Sequence, residues 1–302
     1  MANSDTGRGE KLVKAATEAI QEELIVLWDN LPHWQRDNQF IVRGYRKASA
    51  SYMQCIASLS YIHNETVNIY THLLASLAFV LLAPAFYNTV ISSHDYGQTS
   101  KEDVYVFACF FTGAIFCLGM SATYHTISNH SEAVNKFGNK LDYLGIILMI
   151  WGSFVPSIYY GFGCHPEWIN TYWTMVYVSL AQVTSIKLIE RQITTMAAAC
   201  AVVTCYSAFA TPDWRPFRAG MFVALGLSAV LPIGHAMQLH SLSKLDELMG
   251  LRWAVLQGVL YILGAAIYAV RRCIRTFHVE ANRFVSETYS GALSAWKVRH
   301  SG

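Results

Sequence analysis

Seven apolar stretches, at about 68–91, 104–127, 142–162, 168–186, 193–210, 219–238 and 253–270, dominate this chain. Each is close to the roughly 20 residues that an α-helix needs to cross a bilayer. Composition agrees, since 14% of the residues are charged where a soluble domain carries about 25%. The expected fold is therefore all-α, a multi-pass transmembrane helical bundle. A net charge of +2 gives no signal for a nucleic-acid partner. The seven cysteines (Cys55, Cys109, Cys117, Cys164, Cys200, Cys205, Cys273) are scattered, mostly within apolar stretches, and none stands in a CxxC pair. They read as buried free thiols rather than disulfides.

Ahead of the apolar core, residues 1–62 read as an N-terminal region of amphipathic and interfacial helices. Residues 1–20, MANSDTGRGEKLVKAATEAI, are polar and lack the apolar centre of a signal peptide, so the first spanning helix is expected to direct insertion, and residues 1–10 read as disordered. Leu12, Ala16, Ala19, Ile20, Leu24 and Leu27 recur at helical spacing and predict a helix over Lys11–Asp29, ended by Leu31-Pro32. The mixture of aromatic and basic residues that follows suits a membrane surface. Seven Lys/Arg precede Thr66, whereas the loop after the first span carries only Lys101. The positive-inside rule then places the N-terminus in the cytoplasm. Residues 63–271 form the transmembrane domain and 272–302 a polar tail. Within 168–210 the charges conflict. Lys187 and Arg191 precede the stretch 193–210 and Arg215 and Arg218 follow it, so two cytoplasm-seeking clusters are separated by one span.

One polar passage stands out, SATYHTISNHSEAVNKFGNKLD at 121–142. Ser121 and His125 are four residues apart and share a helix face. A hairpin after His125 would fold Asp142 back beside it, and polar groups at such depth suggest a functional site. Taken alone, His125 reads first as a helix-end histidine at headgroup level and second as a site residue. Glu65, with Asn64, Asn68 and His72, marks the polar start of the first spanning helix, where capping is the expected role of the carboxylate and a contact to the site residues from behind is the alternative. His33 and His130 are expected in solvent, and His235 in a hydrogen bond within the bundle. Pro156 and Pro232 should kink their helices and open cavities for a lipid chain. Gly145, Gly152, Gly220 and Gly226 suit close helix packing.

HNETVNIYTHLL (63–74), together with DNQFIVRGYR, SATYHTISNHS, KLDYLGIILMIWGSFVPSIYYGF and GLSAVLPIGHAM, resembles the progestin and adiponectin receptor family, relatives of the haemolysin III proteins. The resemblance covers roughly 31–175 and 209–271. It implies a seven-helix bundle with a cytoplasmic N-terminus and a zinc ion (Zn2+) near the cytoplasmic helix ends. The implied ligands are one His from the second helix and two from the seventh, with an Asp acting through a water and a Ser nearby. His125 matches the first His, as the direct ligand, Asp142 the Asp and Ser121 the Ser. The family is linked to hydrolysis of ceramide-type amides, which makes membrane lipid the partner and a lipid such as ceramide the substrate. Zinc so held would polarise a carbonyl and lower its water's pKa to about 7, with Ser121 steadying the oxyanion.

The sequence departs from the family pattern twice. After Arg271, RCIRTFHVEANRFVSET lacks the two histidines of the seventh helix, which reads as replaced. His278 and His300 lie in polar sequence of the wrong setting, and one His with one indirect Asp would hold zinc weakly. The other departure is VYVSLAQVTSIKLIERQ (176–192), seventeen residues where the pattern passes directly from WTM to ITTMAAAC. Its first residue has codons beginning GT and its last has CAG, as a retained in-frame intron would. Three readings follow: a zinc-dependent lipid amide hydrolase feeding lipid or metal-homeostasis signalling, a receptor with structural zinc, and an inactive splice product.

Overall fold

The computed structural model describes residues 24–38, 40–91, 100–174 and 214–270. The predicted insertion at 176–192, the stretch 193–210, most of 168–186 and the tail 272–302 with His278 and His300 lie outside the described residues. Among the described residues five helices are long and apolar enough to cross a membrane: Thr66–Thr89, Lys101–Ile127, Glu132–Gly161, Pro216–Leu239 and Leu251–Ala269. They coincide with five of the seven expected stretches, and the all-α multi-pass fold stands. The third begins earlier than 142, because NKFGNKL is also helical. Lys136 and Lys140 occupy its exposed side, while Gly138 packs against Tyr124.

The chain divides into two compact units. The described part of the first comprises residues 24–69 and 125–135. Its strands β1 (Ile25–Val26) and β2 (Tyr45–Arg46) pair antiparallel, with Ile25 opposite Arg46 and Val26 opposite Tyr45. This corrects the helix expected to run to Asp29. Two successive β-branched residues favour the extended pairing, and a 3₁₀ turn, Trp28–Asn30, follows. Gly44 sits at φ +89°, a conformation that favours glycine, and its carbonyl accepts the Asn64 N–H at 2.8 Å. That bond ties the strand to the start of the first spanning helix. Helix α1 (Tyr52–Ala57) is capped by Ser51, whose side chain accepts the Gln54 N–H. It leaves Tyr52, Met53 and Ile56 exposed, in keeping with a surface segment.

The described part of the second unit comprises residues 70–91, 100–124, 136–174 and 214–270. They include most of helices α2 (Thr66–Phe86), α3 (Lys101–Ile127) and α4 (Glu132–Gly161), followed by α5 (Arg215–Leu227), α6 (Val230–Leu239), α7 (Leu242–Met249) and α8 (Leu251–Val270). Glycines set the approach of α3 to α4. A Cβ on Gly113 would meet the Leu148 carbonyl at 2.7 Å, one on Gly145 would meet Cys117 Cα at 2.9 Å, and one on Gly152 would meet the Cys109 carbonyl at 2.7 Å. Backbone cannot yield as a side-chain tip can, so these helices touch only because the positions are glycine. Gly226 makes ordinary contact with Tyr261, and Gly220 has no described neighbour within 4 Å. The close-packing role expected of Gly220 is thus absent among the described residues.

Tyr143 and Ile147 pack with Phe222 and Leu225, and Ile158 and Phe162 with Ala236 and Leu245. Helix α4 continues through Pro156. Pro232 stands in the first turn of α6, where its missing N–H costs least, so it opens a helix instead of kinking one. Helices α2 and α3 border a cavity of about 360 Å³ lined by Phe79, Leu82, Phe86, Phe110 and Phe111. Among the described cysteines Cys55 and Cys109 are buried, Cys117 is half-buried, and all four are free. Cys164 is exposed, contrary to expectation.

Candidate functional site

In the first unit the polar groups gather around a buried arginine. Arg46 is 2% exposed. Its Nη1 donates to Ser58 Oγ and to the Thr126 carbonyl, both at 2.8 Å. Its Nη2 donates to the His125 carbonyl at 2.6 Å and to Ser128 Oγ at 2.9 Å. His125 and Thr126 belong to the last turn of α3, whose carbonyls have no partner within the helix. A cation there also complements the negative end of the helix dipole. Further bonds hold the same turn. Ser49 N–H reaches the Asn129 carbonyl at 2.9 Å, Ala50 N–H the His130 carbonyl at 2.8 Å, and the Asn129 amide the Lys47 carbonyl at 2.9 Å. His130 is half-buried with its ring 4.2 Å from that of Tyr52, which corrects its expected place in solvent. His33 is exposed as expected.

Glu65 faces His125. Its Oε2 accepts from His125 Nδ1 at 2.8 Å and from the Asn68 amide at 2.8 Å, and its Oε1 accepts from the Asn64 amide at 2.8 Å. Burial acts to raise the carboxyl's pKa. The hydrogen bond and charge of His125, the Asn68 amide and the Arg46 guanidinium outweigh burial and hold Glu65 well below the usual carboxylate range. Arg46 is itself drawn below its ordinary value by burial, with Glu65 opposing. His63 completes the cluster. Burial, reinforced by the Arg46 charge, pushes its imidazole down to about 3. The ring is therefore neutral at pH 7, and its Nδ1 accepts the Glu65 N–H at 3.1 Å. Capping, the role expected of Glu65, gives way to a direct bond with a predicted site residue.

Ser121 and Asp142 belong to the second unit. Ser121 is 4% exposed and its Oγ lies 2.7 Å from His72 Nδ1. The glycine contacts fix the α3–α4 register, with Gly138 against Tyr124 and Gly145 against Cys117. Asp142 therefore stands at the level of Met120 and Ser121. His235 is hydrogen-bonded to Tyr172 Oη at 3.0 Å, as expected of a histidine within the bundle.

Catalytic zinc takes three protein ligands and structural zinc four. Among the described residues no group of three or more His, Cys, Asp and Glu side chains is placed to hold a metal ion. The described residues thus do not make up a zinc site, although His125 has the carboxylate partner typical of metal-bound imidazoles. Sequence reasoning passed over Arg46 and His63, and held a contact of Glu65 with the site residues only as the alternative to capping. A signal was present, since a buried cation close to a membrane helix demands acceptors, and Arg46 lies in one quoted motif while Glu65 lies in another.

Comparison with known proteins bears on the same residues. The Haemolysin-III related family matches residues 60–284, three-quarters of the chain. The chain belongs to this family. The matched range takes in His63, Glu65, Ser121, His125 and Asp142, and runs across 176–192 and past Arg271. The chain is similar to the Adiponectin receptor protein of Drosophila melanogaster, 38% identical over 90% of this chain and 56% of the relative. It is also similar to the ADIPOR-like receptor IZH2 of Saccharomyces cerevisiae, 36% identical over 81% of this chain and 71% of that protein. With the Progestin and adipoQ receptor-like protein 1 of Caenorhabditis elegans it is 38% identical, over 84% of this chain and 53% of the relative. The chain thus spans about half the length of the two animal relatives. As a family member it is a multi-pass integral membrane protein, in agreement with the five apolar helices among the described residues.

Proposed function

We propose that this chain is a receptor-type integral membrane protein, with its N-terminus in the cytoplasm and helix rearrangement as its output. The observation that carries this reading is the Arg46 clamp, which joins the N-terminal segment to the last turn of α3 through the His125 and Thr126 carbonyls. Such a joint lets a displacement of a spanning helix reach the cytoplasmic segment. The names of the fly, yeast and nematode relatives, each called a receptor or receptor-like, point the same way.

The bond between Glu65 and His125 favours a second reading, zinc-dependent hydrolysis of lipid amides of the ceramide type. There His125 is the direct ligand, Asp142 acts through a water and Ser121 stands by the oxyanion, as the family resemblance assigns them. The remaining ligands would come from outside the described residues. Short-chain ceramide hydrolysis by the purified chain in lipid nanodiscs, native and Asp142→Asn, separates the two. The receptor reading expects no fatty-acid release that depends on Asp142. Release by the native chain that is abolished in Asp142→Asn would overturn it and establish the hydrolase.

A further inference from the structure

Beside the Arg46 clamp, the first unit leaves an apolar patch uncovered. Helix α1 turns Cys55 fully inward, while Tyr52, Met53 and Ile56 are 53%, 74% and 52% exposed. At 3.6 residues per turn these three fall within one arc of about 100°, and Gln54 lies on the opposite side. A six-residue helix gains little from its own hydrogen bonds. A side this apolar therefore calls for an apolar neighbour.

The level of the patch is fixed by its contacts. The Tyr52 ring lies 4.2 Å from that of His130, just beyond the end of the spanning helix Lys101–Ile127. Ala50 N–H reaches the His130 carbonyl at 2.8 Å, and Ser49 N–H the Asn129 carbonyl at 2.9 Å. After α1, Ser58 Oγ accepts from Arg46 Nη1 at 2.8 Å, and the same guanidinium holds the last turn of α3. Both ends of α1 are thus pinned where α3 leaves the bilayer. Tyrosine is favoured at that depth because its ring is apolar and its hydroxyl seeks water.

Two cations stand at the same level. The Lys47 carbonyl accepts the Asn129 amide at 2.9 Å. Arg43 precedes Gly44, whose carbonyl accepts the Asn64 N–H at the start of α2. Both side chains are exposed. Arg46, between them in sequence, is buried and directs its donors to protein acceptors. Two exposed cations beside an apolar stripe at headgroup depth match an anionic phospholipid, which offers phosphate oxygens and acyl chain together.

We propose that α1 is an interfacial helix seated on anionic phospholipid. Tyr52, Met53 and Ile56 enter the boundary between headgroups and acyl chains, and Arg43 and Lys47 meet the phosphates. The seat is independent of whether the chain signals or hydrolyses.

Two measurements on the full chain test it. The first is native mass spectrometry after equilibration in detergent micelles holding equal phosphatidylserine and phosphatidylcholine. The native chain should retain phosphatidylserine in preference, each cation contributing about fivefold. Replacing both, Arg43→Gln with Lys47→Gln, should remove that contribution. Equal retention of the two lipids by the native chain, or an unchanged preference in the double variant, would overturn the proposal. The second measurement places a nitroxide at Met53→Cys, and separately at Gln54→Cys, in a chain whose native cysteines are serine, held in nanodiscs of the same lipids. Position 53 should meet oxygen more than a water-soluble nickel chelate, and position 54 the reverse. Position 53 open to the chelate would put the stripe in water. Shielding from both reagents would put it under protein, either a second copy or another part of this chain. Either result contradicts a lipid seat. If the cysteine-free chain fails to fold, lipid retention decides alone, since Arg43 and Lys47 are exposed and their replacement spares the core.

Discussion

Each unit joins a histidine to a polar partner on a separate segment, and the two joints are built differently. In the first unit His125 meets a carboxylate, itself held by two amides and standing in the field of a buried arginine. In the second, His72 meets the neutral hydroxyl of a buried serine at 2.7 Å. Charge-assisted bonds are about twice as strong as neutral ones. An ion removed from water is tolerated only with its hydrogen bonds satisfied, so the charged joint needs its whole surrounding network. A neutral interhelical bond in a membrane adds only about 0.6 kcal/mol on average. The contrast suggests that the first unit holds a geometry, while the second assembles by shape, through glycines that let α3 and α4 touch.

The largest expected effect follows loss of the clamp. Arg46→Ala removes the charged donor shared by the His125 and Thr126 carbonyls and the Ser58 and Ser128 hydroxyls, and loss of one partner of a buried hydrogen bond costs about 1–3 kcal/mol. Unfolding in detergent should show a loss of roughly 3 kcal/mol or no folded protein at all, with Arg46→Lys intermediate because one ammonium cannot span four acceptors. An Arg46→Ala chain as stable as the native one would remove the clamp from the account. Glu65→Ala comes next, at about 2 kcal/mol, and Glu65→Gln should lose less because it keeps one acceptor.

Acid sharpens the comparison further. His63 has its folded value lowered to about 3 from an unfolded value near 6.5, so below about pH 6.5 the unfolded chain binds the extra proton. Stability should therefore fall as the pH drops from about 6.5 towards 3, with a slope of at most about 1.4 kcal/mol per pH unit. Glu65, with its folded value depressed, adds its own loss only below the usual carboxylate range. Melting temperatures measured between pH 7 and 5 should slope in native protein and flatten in His63→Phe. Equal slopes would show that His63 is not the titrating group. The smallest effect belongs to the neutral joint, where Ser121→Ala should cost about 0.6 kcal/mol.

Much of the bundle was legible because apolar length is a coarse property that survives local irregularity. Residues 66–89, 101–127, 132–161, 216–239 and 251–269 needed only their hydropathy. Level matching of Ser121 with Asp142 was also legible, because a short polar connection between two long helices forces a hairpin. Strand β1 was not, since Ile25 and Val26 lie between Leu24 and Leu27, which recur at helical spacing, and pair only because Tyr45 and Arg46 arrive from about twenty residues away. The Glu65–His125 bond ranked behind capping for the same reason. Sixty residues separate the partners, and a glutamate just before a helix has a sufficient local explanation in the helix dipole. Periodicity reports what a segment does with itself, and says nothing of a side chain that crosses to another segment.

The most direct test is a pair of double-mutant cycles in thermal unfolding, one for Glu65 and His125 and one for His72 and Ser121. A charged, networked joint predicts a coupling energy of about 1.5 kcal/mol or more for Glu65 with His125, at least twice that for His72 with Ser121. A Glu65–His125 coupling no larger than the neutral one would contradict it, and with it the claim that this carboxylate holds His125 in place.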